Sequence, residues 1–181
     1  MEIVFLSSNK SKIAEVQAIL NKEEITVVPS SIKIEEIQSE DVKHLVRDKV
    51  LKAFSRIGRP IFVEHTGLYI EALNGLPGGL TQIFWDNLDA EGFIRLVAHA
   101  PDSKVIARTV IGYCDGLKIH FFEGDTKGTI STSSKGPTDF QWDCIFIPDG
   151  FSQTFAELGE KKNEISMRKK ALEQLSNFLD K

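Results

Sequence analysis

Asp115-Gly116 lies between two strand-like runs, Val105–Cys114 and Leu117–Phe122. Asp-Gly in that setting is a strong hairpin signal, because glycine accepts the left-handed backbone that such a turn needs. The chain therefore contains an antiparallel pair. Its opening is of another kind. Ile3-Val4-Phe5-Leu6 is a continuous apolar run of buried-strand type, and polar Ser7-Ser8-Asn9-Lys10 follows. Next comes a helix with Ile13, Val16, Ile19 and Leu20 on one stripe, capped by Ser8 or Asn9. Interleaved strands and helices together with hairpins point to a mixed sheet. The fold expected is a single α/β domain over residues 1–181.

Other elements follow from pattern. Ile25–Val28 reads as a second strand, and Ile32, Ile34 and Ile37 suggest a third extended stretch. The clearest helix runs from about Glu40 to Ile57, with Gly58 at its C-cap. Strands are expected over Ile61–Val63, Leu68–Leu73, Gly128–Ser131 and Cys144–Ile147, with a turn from Asn74 to Gly79. Asp89 can cap a helix carrying Phe93, Leu96 and Val97. A closing helix spans roughly Asn163 to Leu179 and buries Ile165, Leu172, Leu175 and Leu179.

Composition removes several function classes. The net charge is −4, which argues against broad nonspecific binding to nucleic acid. Cys114 and Cys144 fit no disulfide framework or zinc spacing, so a reducing compartment, the cytoplasm, is expected. No apolar run approaches the roughly 20 residues of a membrane span, and the N-terminus reads as a strand, not a signal peptide.

Six stretches could carry chemistry. Ser7–Lys12 offers free backbone N–H groups and two lysines to an anion, or is an ordinary capped helix start. Lys49 breaks an apolar stripe; it either aims an ammonium at a phosphate or snorkels from the stripe's edge. Glu35, Glu36 and Glu40 can hold a hard cation such as Mg²⁺, or are solvated surface charge. Glu64-His65 ends an apolar strand, where charge needs a partner or a task. A histidine there can also be a backbone-bonded structural residue. Phe140-Gln141-Trp142-Asp143 can stack and read a base, or pack in the core. Lys162, Ser166 and Arg168 near the start of the last helix put cations where the helix dipole disfavours them, so solvent or an anion must match them.

These parts occur in an order that resembles the inosine/xanthosine triphosphate pyrophosphatases. That family opens with T/S-G-N-x-x-K, here Ser7-Ser8-Asn9-Lys10-Ser11-Lys12. It carries E/D-D-S/T-G-L, here Glu64-His65-Thr66-Gly67-Leu68, and A-L-x-G-x-P-G, here Ala72 to Gly78. F-G-W/Y-D-P-x-F-x-P-D-G corresponds to Phe140–Gly150, T-F/Y-A-E-M to Thr154–Leu158, and E-K-N-x-x-S-H-R to Lys161–Arg168. The similarity spans nearly the whole chain.

The resemblance implies an elongated mixed β-sheet with flanking helices, two lobes around a central cleft, and a homodimer. It implies metal-dependent hydrolysis of a nucleoside triphosphate to the monophosphate and pyrophosphate, with Mg²⁺ or Mn²⁺ and bases such as hypoxanthine and xanthine. Ser7, Ser8, Asn9, Lys12 and Lys49 would hold phosphates. Glu36, Glu64 and His65 would be the metal positions, with Glu40 a substitute for Glu36. Phe140, Trp142, Asp143, Lys162, Ser166, Met167 and Arg168 would form the base pocket. His65, Glu64, Lys12 and Lys49 would carry catalysis.

The departures fall on this site. His65 stands where the family has an aspartate, Met167 where it has a histidine, Gln141 for a glycine and Cys144 for a proline. Two readings follow: an enzyme in which His65 serves as base, or a nucleotide-binding homologue with weakened catalysis.

Overall fold

The structure, a computed structural model, describes residues 2–21 and 25–180. Seven strands form one mixed sheet. They are β1 (Glu2–Leu6), β2 (Thr26–Ser30), β3 (Ile61–Ile70), β4 (Pro77–Gly78), β5 (Val105–Cys114), β6 (Ile119–Ile130) and β7 (Phe146–Pro148). The sheet order is β2-β1-β3-β5-β6-β7, with β4 paired to β3. The two pairings of β1 are parallel and the rest antiparallel. The expected mixed sheet is therefore present. Its hairpin is the β5–β6 turn, where Gly116 takes φ +102° and Asp115 Oδ1 accepts from the N–H groups of Leu117 and Lys118 at 2.7 Å.

Strand β3 contributes to all three apolar cores. At its start Ile61, Phe62 and Val63 alternate between faces, as a strand's period of two requires. Phe62 packs beneath α1 (Lys10–Leu20) and α6 (Met167–Leu179) with Phe5, Val16, Leu20 and Leu172. Ile61 and Val63 pack beneath α2 (Val42–Ile57) with Val46, Val50 and Ala53. At its far end Leu68 and Ile70 join Phe93, Val105, Trp142, Phe146 and Phe155 in a third core. Glu64, His65 and Thr66 occupy the crossing between these cores. Among the described residues no helix is long and apolar enough to cross a membrane.

Several boundaries differ from expectation for identifiable reasons. The strands expected at Ile61–Val63 and in Leu68–Leu73 are one ten-residue strand, and Glu71–Leu73 is a 3-10 turn. Gly128–Ile130 is the end of β6, and Ser131 lies just beyond it. The stretch through Ile32, Ile34 and Ile37 is not a strand; Ile32 is 42% exposed and finds no sheet partner. Residues Gln141–Cys144 form a 3-10 turn, and the strand starts at Phe146. The helix over Val42–Ile57 is capped by Asp41 and ended by Gly58 at φ +66°. Asp89 caps as expected, accepting from Gly92 N–H at 3.1 Å. It does so at φ +51°, at a break within α3 (Thr81–Val97). The closing helix is split into α5 (Lys162–Ile165) and α6. Ser166, at ψ 153°, interrupts it and caps the second part. A further short helix, α4 (Phe155–Leu158), starts in a capping box formed by Thr154 and Glu157.

Candidate active site

The anion loop is ordered by its own polar groups. Asn9 caps α1, its Oδ1 accepting from Lys12 N–H at 3.0 Å, while Asn9 N–H donates to Ser7 Oγ at 3.2 Å. Ser7, Ser8, Asn9 and Lys12 line a cavity of about 460 Å³ with Glu36, Lys49, Glu64, His65, Phe140, Trp142, Met167 and Arg168. The structure thus brings the phosphate, metal and catalytic candidates to one cleft, together with part of the base set.

Glu64 is the most enclosed acid in that cleft, 4% exposed. Lys12 Nζ lies 2.8 Å from its Oε1, and Arg168 Nε donates to its Oε2 at 3.0 Å. Burial works against its charge, but Arg168 and Lys12 outweigh burial and hold the carboxyl well below its ordinary range. Thr66 adds a hydroxyl donor at 3.3 Å and is bonded in turn to Thr109.

Arg168 also donates to Glu15, a residue the sequence reading passed over. Glu15 is 8% exposed, and its Oε1 has no hydrogen-bond partner among the described residues. Lys162 Nζ lies 3.6 Å from Glu15 Oε2 and 2.6 Å from Asp143 Oδ2. The cations near the last helix are therefore matched by three buried acids. Burial, with Glu15 as a like charge nearby, raises the Asp143 carboxyl despite Lys162. A signal for Glu15 existed: it shares the buried stripe of α1 with Val16 and Ile19, the pattern that singled out Lys49 on α2.

His65 Nε2 lies 3.0 Å from Gly79 O. A carbonyl only accepts, so Nε2 carries the proton and Nδ1 is left as an acceptor. Burial, then Lys12 and Lys49, lowers its pKa to about 4, so the ring is neutral at pH 7. Lys49 reaches the cleft and pairs with Glu36 at 2.6 Å. Glu40 sits apart, its carbonyl accepting from Gly79 N–H at 3.3 Å.

Among the described residues no three His, Cys, Asp or Glu side chains form a ready cation cluster. Lys12 and Arg168 engage Glu64, and Lys49 engages Glu36. Two carboxylates lining one cleft, Glu36 and Glu64, fit the needs of Mg²⁺, which keeps waters and phosphate oxygens and takes one or two carboxylates.

The base candidates divide. Trp142 is 4% exposed and packs on Phe146 and Phe155, so it belongs to the core even where it faces the cleft. Met167 is also buried there, and Ser166 Oγ caps α6 by accepting from Lys169 N–H. Asp143 and Lys162 face a second cavity of about 510 Å³ with Glu15 and Phe155, and Phe140 lines both cavities.

The Ham1 family model matches residues 3–178. The chain belongs to the Ham1 family. It is 35% identical to an inosine triphosphate pyrophosphatase of Scheffersomyces stipitis, over 98% of this chain and 97% of that one. It is likewise 35% identical to a dITP/XTP pyrophosphatase of Methanopyrus kandleri, over 98% of this chain and 96% of the relative. A solved structure of a HAM1 protein from Coxiella burnetii superposes with a TM-score of 0.80 at 31% identity, covering 99% of this chain and 98% of the other. The family and the α/β mixed sheet expected from the sequence both hold.

Proposed function

We propose that this Ham1 family chain hydrolyses a nucleoside triphosphate to the monophosphate and pyrophosphate. The observation that carries this reading is the shared cleft. An anion loop, Lys12 paired with the buried Glu64, Lys49 paired with Glu36, and the aromatic Phe140 all line it. The relatives named for inosine triphosphate, dITP and XTP support the same substrate class.

In this reading Ser7, Ser8 and Asn9, through their side chains and the Ser8 N–H at the α1 N-terminus, and the ammonium groups of Lys12 and Lys49 hold the triphosphate. They offset charge developing on the pyrophosphate leaving group. Water attacks the α-phosphorus and loses its proton to solvent, while the bond from the α-phosphorus to the bridging oxygen breaks and its electron pair leaves with pyrophosphate. His65 Nδ1 accepts a hydrogen bond from that water; with a pKa of about 4 it orients the water more than it captures the proton. A divalent cation, Mg²⁺ or Mn²⁺, held by Glu36 and Glu64 would supply a Lewis acid and a more acidic water. The base would sit against Phe140, near Asp143 and Lys162.

His65 favours a second reading, a nucleotide-binding homologue of weakened activity, because a neutral ring adds no charge to a hard-cation site. One experiment separates the two. Purified protein with Mg²⁺ or Mn²⁺ is given a panel of ordinary and modified nucleoside triphosphates, and pyrophosphate is measured. Turnover supports the enzyme; calorimetric binding without turnover supports the homologue. The homodimer belongs to the same proposal and is checked by light scattering.

A further inference from the structure

The phosphate cleft and the chamber around Asp143 and Lys162 are separate cavities, and Phe140 is the residue that lines both. A cation lies over its ring from each cavity, Lys162 from the chamber and Arg168 from the cleft. Lys162 Nζ lies 4.2 Å from the ring centroid and the Arg168 guanidinium 5.8 Å, both within cation–π range. A nucleotide placing its phosphates in one cavity and its base in the other must displace this ring.

Gln141, the next residue, adopts φ +45°, the left-handed region that favours glycine. Such outliers persist where the surroundings hold them, and they gather at functional sites. Here the holding group is identifiable. Gln141 Nε2 donates to Gln82 Oε1, and Gln82 Nε2 donates to Asp86 Oδ1 at 2.7 Å. Gln82 and Asp86 are one turn apart on α3, so the acceptor is fixed by a helix. Both glutamines line the cleft beside Phe140.

We propose that Gln141 is a positioning residue: clasped to Gln82, it keeps the Phe140 ring as a partition between phosphate cleft and base chamber, so that base entry requires the ring to swing aside. The inference rests on the nucleotide reading above and adds a step to it. The phosphates find their site already formed, whereas a base attached to them meets the Phe140 ring on its way to the chamber. A clasp that keeps the open arrangement to about a tenth of molecules lowers apparent nucleotide affinity about tenfold relative to an unclasped protein.

The test uses Gln82→Ala, Gln141→Gly and Gln82→Glu. Alanine suits α3, glycine suits φ +45°, and Gln82→Glu is made together with Asp86→Asn, so that an acceptor oxygen for Gln141 and a hydrogen bond between positions 82 and 86 are both kept. Binding of an α,β-methylene analogue of inosine triphosphate is measured by stopped flow and calorimetry, with inorganic tripolyphosphate as the probe lacking a base. The expected result is a nucleotide association rate about tenfold higher in Gln82→Ala and Gln141→Gly, and unchanged in Gln82→Glu combined with Asp86→Asn. Tripolyphosphate affinity stays within twofold throughout. An unchanged association rate in the first two variants overturns the partition. So does a parallel change in tripolyphosphate affinity, which marks general distortion of the site. If unaltered protein binds tripolyphosphate but no nucleotide, the nucleotide reading itself fails, and the partition with it.

Discussion

The ammonium of Lys12 and the carboxylate of Glu64 meet at 2.8 Å, joining the first turn of α1 to the middle of β3. Both groups are held at the junction of the three cores, where a lost partner is costly. Glu64→Gln leaves Lys12 and the buried Arg168 without their shared anion. It is expected to lower stability by about 3 kcal/mol, the scale for breaking a buried pair, in denaturant unfolding. Turnover is expected to fall at least about 100-fold, because the acid of the reacting centre is gone.

Stability should depend on pH through His65. Its folded pKa is about 4 against 6.5 for the unfolded group, so the unfolded chain takes up the proton first. The contribution is fully present above pH 6.5 and is lost as pH falls through 4. Two and a half units correspond to about 3 kcal/mol. His65→Gln keeps a donor for Gly79 O and does not titrate. Its unfolding free energy is expected to be flatter than that of the unaltered protein between pH 6.5 and 4. Parallel curves would remove His65 as the source.

His65→Asp restores the acid expected at this position from the resemblance. It should raise pyrophosphate release from inosine triphosphate. It should also lower stability by about 1–3 kcal/mol, because a carboxylate cannot donate to Gly79 O and leaves that carbonyl unpaired. Activity and melting temperature moving in opposite directions is the signature to look for.

Gly124 lies where β6 passes the start of α6. A Cβ there would stand 2.0 Å from Met167 O and 2.9 Å from Ala171 N, both backbone. Gly124→Ala must push α6 from the sheet, displacing Met167 and Arg168. A loss of about 1–3 kcal/mol is expected by thermal unfolding, with reduced turnover.

Much of this was legible from residue pattern. Asp115-Gly116 marked the hairpin, Gly58 the helix stop and Asp89 a cap, because each acts through its own backbone. The stretch through Ile32–Ile37 misled because a strand needs a partner that alternation cannot supply. Ser166 was read as a site residue, yet it also breaks and caps the closing helix, which period alone does not reveal. Arg168 was assigned to the base pocket from the resemblance. Its reach to Glu64 and Glu15 joins residues 104 and 153 positions apart, and sequence spacing carries no such information. The Phe140 partition required the cavities themselves.

Hydrolysis in this cleft is proposed to occur at the α-phosphorus. The most direct measurement is turnover of inosine triphosphate in heavy-oxygen water with Mg²⁺, with the products resolved by mass spectrometry. The label is expected in the nucleoside monophosphate, with unlabelled pyrophosphate, and product formation is expected to fall at least about 100-fold in Glu64→Gln. Label in pyrophosphate, or release of orthophosphate and a nucleoside diphosphate, would contradict attack at the α-phosphorus.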